Sequence, residues 1–337
     1  MLRISNFSKM FDLISIGDTV IDTFIPLQDV EVEEKDGGLK LILPFGMKVR
    51  VGDSSSMVGG NAANSVVGAS RLGLKTAIYT NVGKKDDDEA DERIVNKFEK
   101  EKVDTRYVVH NSNFSTSHNF ILNFKGERTI LIHHHEWKYD LPDLDSAKWV
   151  YLTSLAPNYV NTNIVDQVLN YLERTKAKLV YQPGTFQIKL SLKKNARILS
   201  LAEVLITNLE EAKLLLGMDV DQKKEVKKLL KDLSNNGPKK IVITDGGEGS
   251  YAFDGEKYFK LDVFPAKVIQ KTGAGDAYSS GLLAGLFYGK ELQEAMRWGS
   301  ANSAGVVEKI GPQAGLLNYS EMLEKLKVYK NIVAKEM

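Results

Sequence analysis

The segment Lys271-Thr-Gly-Ala-Gly-Asp276, followed by the run from Ala277 to Phe287, is the most informative part of this sequence. Its two glycines let backbone N–H groups converge where a helix begins, and such a helix start binds anions such as phosphate. Asp276 falls in the first turn, where the helix dipole favours the ionised carboxylate. This carboxylate can accept a proton from an attacking hydroxyl. The segment therefore predicts an anion hole beside a general base, or else a plain glycine-rich helix start.

Outside this segment, short β-rich apolar runs alternate with amphipathic helical patterns along most of the chain. One predicted helix carries the stripe Ile164, Val168 and Leu172, and another begins near Val226. Strands that alternate with helices are joined by right-handed crossovers, so the pattern predicts an α/β fold. We expect a doubly wound, mostly parallel sheet with helices on both faces. The predicted strands are residues 12–16, 76–80, 148–152, 178–182, 203–207 and 240–244.

Two stretches break this rhythm, residues 23–58 and residues 114–134. Both hold extended patterns without a helical one, with turns expected at Gly37-Gly38 and Gly126-Glu127. They cannot be βα units, so we expect a small separate β-sheet that projects from the body as a lid, as a dimer surface, or as both. The alternative is that they are loops without a role. A homodimer through the lid would satisfy the exposed strand edges.

The composition excludes several classes of protein. The 337 residues hold 45 Lys plus Arg against 44 Asp plus Glu, so the net charge of +1 predicts neither nucleic acid nor an anionic membrane as the main partner. The absence of Cys excludes disulfides, thiolate metal sites and a cysteine nucleophile. No run approaches the ~18 apolar residues of a membrane span. We therefore expect a soluble, unprocessed, cytoplasmic protein.

Four further motifs carry polar residues suited to ligands, although each can also be a helix cap or a tight turn. Val58-Gly-Gly-Asn-Ala-Ala-Asn64 is a second glycine-rich turn into a helix, and its amides suit neutral hydroxyls. Asn208-Leu-Glu-Glu211 follows a predicted strand, where a carboxylate can hold hydrated magnesium. Thr244-Asp-Gly-Gly-Glu-Gly249 predicts either a nucleotide-binding turn or a hairpin. Gly17-Asp-Thr-Val-Ile-Asp22 offers two carboxylates to polyol hydroxyls.

The run His133-His134-His135-Glu136 suggests a metal site at first. Consecutive residues on a strand point to opposite faces, so at most two of these side chains could share one ion. The favoured interpretation is a strand that ends near the site.

Together, and in this order along nearly the whole chain, these motifs resemble the ribokinase-like, or PfkB-type, carbohydrate kinase family. The N-terminal signature of the family is similar to Gly59-Gly-Asn-Ala-Ala-Asn64, and its C-terminal signature is similar to Thr272-Gly-Ala-Gly-Asp276. The resemblance implies one ribokinase-like kinase domain over residues 1–337, with the β-lid at residues 23–58 and 114–134. It also implies transfer of the γ-phosphoryl group of ATP to a hydroxyl of a sugar or sugar-like substrate.

The resemblance further implies a role for each motif. Asp276 would be the catalytic base, and Gly273, Ala274 and Gly275 would form the anion hole for the transferred phosphoryl group. The acceptor hydroxyls would be bound by Asp22, Gly60 and Asn64. ATP and Mg²⁺ would be held by Asn208, by Glu211 acting on the metal through water, by Thr244, Gly246 and Gly249 of the nucleotide turn, and by Ser300 in the adenine pocket.

The sequence departs from the family at Gln270-Lys271, where Asp-Thr usually precedes the glycine-rich core. In members that use a monovalent cation, that Asp helps to build the ion site, so potassium activation is left open here. Lys271 is a hypothetical source of positive charge near the phosphates.

Two alternatives to a sugar kinase stay open. A nucleoside kinase would be favoured by a stacking aromatic ring in the lid, for which Phe24, Phe45 and Phe120 are the candidates. A non-catalytic ligand-binding member of the family is the other alternative, and the intact Asp276 argues against it.

Overall fold

The computed structural model describes residues 10–35, 38–84, 89–125 and 127–337. The predicted turn residues Gly37 and Gly126 lie outside these ranges. The strands are β1 Phe11–Ile16, β2 Val20–Pro26, β3 Glu31–Lys35, β4 Gly38–Ile42, β5 Ser55–Gly59, β6 Thr76–Val82, β7 Val103–His110, β8 His118–Phe124, β9 Glu127–His133, β10 Ala147–Leu152, β11 Lys178–Tyr181, β12 Ala202–Asn208, β13 Lys240–Thr244, β14 Ser250–Phe253, β15 Tyr258–Leu261 and β16 Lys335–Glu336. The α-helices are α1 Asn61–Arg71, α2 Glu89–Lys100, α3 Ile164–Thr175, α4 Thr185–Lys189, α5 Ser191–Leu201, α6 Leu209–Leu215, α7 Val226–Ser234, α8 Ala274–Phe287, α9 Leu292–Val307 and α10 Tyr319–Val328.

The main sheet has the strand order β16-β15-β14-β13-β12-β11-β10-β1-β6-β7. The strands from β13 to β7 in this order are parallel, and β14 to β16 extend the sheet in antiparallel fashion. The chain winds one way from β1 to β6 and β7 and the other way from β10 to β13, so the order reverses between β1 and β10. These observations confirm the predicted doubly wound fold. In such folds, ligands bind in the crevice beyond the carboxyl ends of the strands where the order reverses.

Helices cover both faces of this sheet, as the sequence predicted. Ile14 and Ile16 of β1 lie in one core with residues of α3 and α7, whereas Leu13 lies in another core with residues of α8 and α9. Neighbouring residues of β1 therefore fill opposite sides of the sheet, as the period of two requires. In the ranges that the structure describes, no helix is long and apolar enough to cross a membrane.

The helix that carries Asp276 is held by close backbone packing. A Cβ added at Gly281 of α8 would lie 2.4 Å from the carbonyl oxygen of Trp298 in α9. The absence of a side chain at Gly281 therefore allows the two helices to approach closely. Because this packing fixes α8 against α9, it also fixes the first turn of α8.

A second sheet of four strands, in the order β5-β2-β8-β9, contains strands of both predicted lid segments and is called the lid sheet, or lid, below. Strands β3 and β4 form a separate two-stranded hairpin. The prediction of a small sheet apart from the main one is thus confirmed. Strand β2 begins at Val20, three residues before the first predicted lid segment, because only residues 17–19 separate it from β1. Asp22 therefore lies within a lid strand.

Candidate active site

Asp276 lies in the first turn of α8, three residues after the glycine that caps this helix. Gly273 caps the helix with a left-handed backbone, φ +81°, and a Cβ there would lie 2.6 Å from the Cβ of Pro312. Both the backbone angle and the packing therefore favour glycine at this position. Asp276 itself is 7% exposed, so its carboxylate is nearly enclosed.

Two side-chain amides hold the Asp276 carboxylate. The Asn64 Nδ2 group donates to Oδ2 at 2.8 Å, and the Gln182 Nε2 group donates to Oδ1 at 3.5 Å. Burial raises the pKa of Asp276 to about 6, and these two hydrogen bonds limit the rise. The group is therefore ionised near neutral pH and is a better base than an exposed aspartate.

Both amides are themselves oriented by further hydrogen bonds. The Oδ1 atom of Asn64 accepts from Gln313 Nε2 at 3.0 Å. The Oε1 atom of Gln182 accepts from the Tyr151 hydroxyl at 2.9 Å and from the Ser279 hydroxyl. Since each oxygen already accepts a hydrogen bond, each NH₂ group is left facing the carboxylate.

Two of these residues, Gln182 and Gln313, were not predicted as site residues from the sequence. Gln182 follows β11 at the carboxyl edge of the sheet, where ligands bind in such folds, so its position at the end of a predicted strand could have indicated a site residue. Gln313 lies in the segment between α9 and α10 and has no comparable signal.

The predicted acceptor residues converge on the same place from the lid side. Asn119 Nδ2 donates to Asp22 Oδ1 at 3.1 Å, and burial together with the charge of Asp276 raises the pKa of Asp22 to about 6. A Cβ on Gly59 would lie only 2.1 Å from Asp22 Oδ2, so the glycine makes room for this carboxylate. Gly60, with φ +96°, caps the helix that carries Asn64. The structure thus brings Asp22, Gly60 and Asn64 together with Asp276.

Asn208 and Glu211 form a capping box at the start of α6. The Asn208 N–H donates to Glu211 Oε2 at 2.9 Å, and the Glu211 N–H donates to Asn208 Oδ1 at 2.8 Å. Burial raises the pKa of Glu211 to about 6, and the charges of Asp276 and Glu210 add to the rise. Glu211 therefore lies within electrostatic reach of Asp276, and a cation would relieve the repulsion between their carboxylates.

The predicted nucleotide turn follows β13 and lies beside Asn208, because Thr244 is the β-partner of Asn208. Gly249, with φ +94°, is packed so tightly that a Cβ would lie 2.1 Å from the carbonyl oxygen of Leu261. A Cβ on Gly246 would meet no heavy atom of the described residues within 4 Å. The turn is thus fixed at one end and open at the other, where a ligand can approach its backbone.

The side chains of Ser300 and Lys271 interact with other parts of the protein. Ser300 lies buried in α9, and its hydroxyl accepts a hydrogen bond from the Phe264 N–H at 3.1 Å. Lys271 forms an ion pair of 3.0 Å with Glu127 at the start of lid strand β9. Both side chains of this pair are more than half exposed, so the pair contributes little to stability.

The histidine run lies where lid strand β9 ends, at His133. Across the described ranges, no three His, Asp or Glu side chains form a group that could hold a metal ion.

The buried carboxyls predict that the protein becomes more stable as the pH falls from about 8 to about 5. Burial raises the pKa of Asp18 to about 7 and that of Asp22, Glu211 and Asp276 to about 6. The folded state therefore binds these protons more tightly than the unfolded state, whose carboxyls titrate near about 4. The free energy of unfolding is therefore expected to rise as the pH falls through 7 and 6, because these four carboxyls outweigh the opposite contribution of His134, whose pKa burial lowers. Urea midpoints at several pH values measure the effect, and Asp18→Asn should reduce it.

A midpoint that falls steadily over that range would contradict this expectation. Glu101 acts in the opposite direction, because its hydrogen bonds with Arg71 lower its pKa to about 2. Its stabilising contribution is lost only below about pH 4.5, outside the proposed window.

A buried carboxylate beside a glycine-rich helix start, facing a lid at the reversal point of a doubly wound sheet, is the arrangement of a sugar or nucleoside kinase with the ribokinase fold. The chain belongs to the pfkB family of carbohydrate kinases, whose sequence model matches residues 10–318. The family resemblance inferred from the motifs and the assignment as a kinase are thereby confirmed.

Curated relatives cover nearly the whole chain. A 5-dehydro-2-deoxygluconokinase from Shouchella clausii is 27% identical over 334 residues, which cover 93% of this chain and 95% of that protein. A cytidine kinase from Thermococcus kodakarensis is 26% identical over 316 residues, which cover 90% of this chain and 98% of that protein. Kinases named for a sugar acid and for a nucleoside are thus similarly distant from this protein.

Solved structures share the fold at lower identity. The ribokinase of Arabidopsis thaliana, complexed with ribose and ATP, matches with a TM-score of 0.76 at 19% identity, over 94% of this chain and 99% of that one. A putative ribokinase II from E. coli, in complex with ATP and Mg²⁺, matches with a TM-score of 0.73 at 16% identity, over 95% of this chain and 100% of that one. These likenesses confirm the ribokinase fold.

Proposed function

We propose that this protein transfers the γ-phosphoryl group of ATP to a hydroxyl of a sugar or sugar-like acceptor, with Asp276 as the general base. The observation that carries the proposal is the position of the Asp276 carboxylate. It is buried at the start of α8, held by the amides of Asn64 and Gln182, and within electrostatic reach of Asp22 and Glu211. The Asp276 carboxylate thus interacts electrostatically with one of the predicted acceptor residues, Asp22, and with one of the predicted magnesium residues, Glu211.

In this mechanism the protein supplies position and charge, and no covalent intermediate is needed. The Asp276 carboxylate accepts the proton of the acceptor hydroxyl as the hydroxyl oxygen attacks the phosphorus. The first N–H groups of a helix have no intrahelical acceptor, so those at Gly273 and Gly275 can bind the oxygens of the transferred group. The Ala274 N–H already donates to the Lys271 carbonyl at 3.3 Å, which makes it the weakest of the three donors.

Asn208 and Glu211 fit a magnesium ion held through water. Amide and carboxylate oxygens are ligands that Mg²⁺ prefers, and a cation would stabilise the charged form of the Glu211 carboxylate, whose pKa is raised by burial and by the charges of Asp276 and Glu210. When bound, Mg²⁺ would neutralise part of the phosphate charge. Gly246 leaves open space for the nucleotide beside this pair.

The lid is proposed to exclude water from the transfer. Asp22 lies on lid strand β2, and Asn119 on lid strand β8 orients it. An acceptor bound to Asp22 would therefore touch the lid and the body together. Exclusion of water from this space favours transfer to the acceptor over hydrolysis of ATP.

The lid aromatics favour a sugar over a nucleoside. Phe120 stacks on His118, but it neighbours Asn119 on β8 and therefore points to the sheet face opposite Asp22. Phe24 shares the face of Asp22 but is 2% exposed within the protein. Phe45 is fully exposed, but it lies between β4 and β5, outside the strands of the lid sheet. None of the three combines an exposed ring with a place on the Asp22 face of the lid.

The test is a screen for acceptor-dependent ADP release with ATP and Mg²⁺. D-ribose, D-fructose, 5-dehydro-2-deoxygluconate and cytidine form a first panel. Release that depends on one of the sugars or the sugar acid supports the proposal. Release with cytidine alone would establish the nucleoside alternative, and no release above the rate without acceptor for any compound would overturn a kinase function.

We further propose a homodimer through the outer face of the lid. Strand β9 is an edge of the lid sheet, and all seven of its residues are exposed. Leu131 pairs in register with Phe120, so both lie on the face away from Asp22, where they are 51% and 40% exposed. An apolar face beside an unpaired edge is an expected site of self-association.

Leu131→Lys is expected to convert this dimer into a monomer, because it places a charge in the proposed apolar interface. Light scattering after gel filtration measures the mass. Leu323→Lys is the matched control, since Leu323 is 45% exposed on α10 and lies outside the lid. A monomeric wild-type protein, or an unchanged mass for Leu131→Lys, would contradict the proposed interface.

A further inference from the structure

A buried pair of polar side chains, Asp18 and His134, lies near the proposed acceptor site, where the lid joins the main sheet. Asp18 follows β1 at the point where the strand order reverses, and its N–H donates to the Ser154 carbonyl at 2.8 Å. His134 follows the last residue of lid strand β9. The Nδ1 atom of His134 lies 3.8 Å from Oδ2 of Asp18. These two side chains come from segments more than a hundred residues apart in sequence.

Only one of the two carboxylate oxygens of Asp18 accepts a hydrogen bond from the described residues. The Tyr139 hydroxyl donates to Oδ1 at 2.7 Å and itself accepts from the Ala156 N–H at 2.7 Å, which fixes the orientation of the carboxyl group. Among the described residues, neither Oδ2 of Asp18 nor Nδ1 of His134 has a hydrogen-bond partner, and both atoms are buried. Asp18 is 2% exposed.

An unpartnered buried carboxylate oxygen destabilises the fold, and a separation of 3.8 Å is too long for a direct hydrogen bond. Burial accordingly raises the pKa of Asp18 to about 7 and lowers the pKa of His134. A hydroxyl oxygen placed beside both atoms could donate to the carboxylate and accept from the imidazole N–H. Such a group would satisfy both orphaned atoms at once.

The pair is connected to the proposed base through the backbone. A Cβ on Gly60 would lie 2.6 Å from the Asp18 carbonyl oxygen, so Asp18 packs against the turn that begins α1. The first turn of α1 carries Asn64, which donates to Asp276. A polyol bound near Asp276 could thus extend toward Asp18.

We propose that Asp18 and His134 form a specificity subsite that binds a hydroxyl of the acceptor other than the one that is phosphorylated. This inference rests on the proposed kinase function and deepens it. The Tyr139 hydroxyl and the ring of Phe186, which packs edge-on against His134, position the two binding groups. The subsite selects acceptors that carry a hydroxyl at one further position and rejects the analogues that lack it.

The experiment compares the best acceptor of the screen with each of its monodeoxy analogues; for D-ribose, these are 2-deoxy-D-ribose and 3-deoxy-D-ribose. The wild-type enzyme should prefer the full acceptor over one analogue by about 10- to 100-fold in kcat/KM, the range of a hydrogen bond to a charged group. His134→Ala and Asp18→Asn should abolish this preference, chiefly by raising KM for the full acceptor. His134→Asn should restore it in part, because the Asn side chain presents an amide near the position of Nδ1.

His133→Ala is the matched control, since His133 is the exposed neighbour in sequence and should leave the preference unchanged. An unchanged preference in both His134→Ala and Asp18→Asn overturns the subsite and indicates a buried water in its place. If Asp18→Asn does not fold, His134→Ala alone decides.

Failure of the proposed function is distinguishable from failure of the subsite. If no compound of the panel is phosphorylated, the rise in Tm caused by each compound is compared between the wild-type protein and His134→Ala. A rise that the variant loses supports the subsite, whereas equal rises, or none, overturn it.

Discussion

Asp276→Asn is expected to lower kcat by a factor of about 100 to 10,000 while the protein still folds and binds ATP. The substitution keeps the shape of the side chain but removes the proton acceptor. Its new NH₂ group would also face one of two amide donors, those of Asn64 and Gln182, whose orientations are already fixed. Single-turnover rates with ATP and the identified acceptor measure the loss, and nucleotide titration measures the binding.

The matched control for this variant is Asp166→Asn, an isosteric change at an aspartate 53% exposed on α3. It should leave kcat unchanged. Turnover of Asp276→Asn within a few-fold of the wild-type value would remove Asp276 from the role of general base, and the proposed mechanism would fail with it.

The pH dependence of the wild-type enzyme provides a second measurement of the same group. Because the base must be ionised, kcat/KM should fall as the pH falls through about 6, the raised pKa of Asp276. Stability is expected to change in the opposite direction over this range. A parallel loss of both quantities would point to unfolding at low pH instead of titration of the base.

The parts of this structure that were predictable from sequence are those set by local pattern. Lys240–Thr244 reads as a strand because β-branched residues occur in a short apolar run, and the structure has β13 at those residues. Gly60 and Gly273 lie at helix starts where the backbone has a positive φ. A glycine directly before a helical pattern indicates such a position in the sequence. The order of the motifs along the chain then indicated the kinase family.

The parts that were not predictable depend on contacts between distant segments. Gln313 bonds to Asn64 across 249 positions of sequence, and no local pattern marks the glutamine for that contact. The Asp18 and His134 pair arises only when the lid strand returns to the carboxyl end of β1. From the sequence, Phe120 is a candidate for base stacking. The register of β8 shows that it lies on the sheet face opposite Asp22, and this register is not visible in the local sequence.

Gly273→Ala and Gly275→Ala are expected to separate the structural part of the helix start from the part that binds phosphate. At Gly273, alanine would meet a left-handed backbone and a Cβ contact of 2.6 Å with Pro312. The left-handed angle costs roughly 1–2 kcal/mol and overpacking typically about 1–3 kcal/mol. We expect Gly273→Ala to lose about 2–5 kcal/mol of stability and, through displacement of its N–H, at least about 100-fold in kcat.

At Gly275 the same substitution meets no steric obstacle from the described residues, because no heavy atom lies within 4 Å of the added Cβ. Alanine in a helix is more favourable than glycine by about 0.5–1 kcal/mol, so Gly275→Ala should raise Tm. In the proposed mechanism the open space beside Gly275 is where the transferred phosphoryl group binds. The added methyl group should therefore obstruct that group and lower kcat/KM for ATP by about tenfold or more. Higher stability with lower activity is an outcome that a purely structural role for this turn does not produce, and unchanged kinetics in Gly275→Ala would mean that the phosphoryl group binds elsewhere.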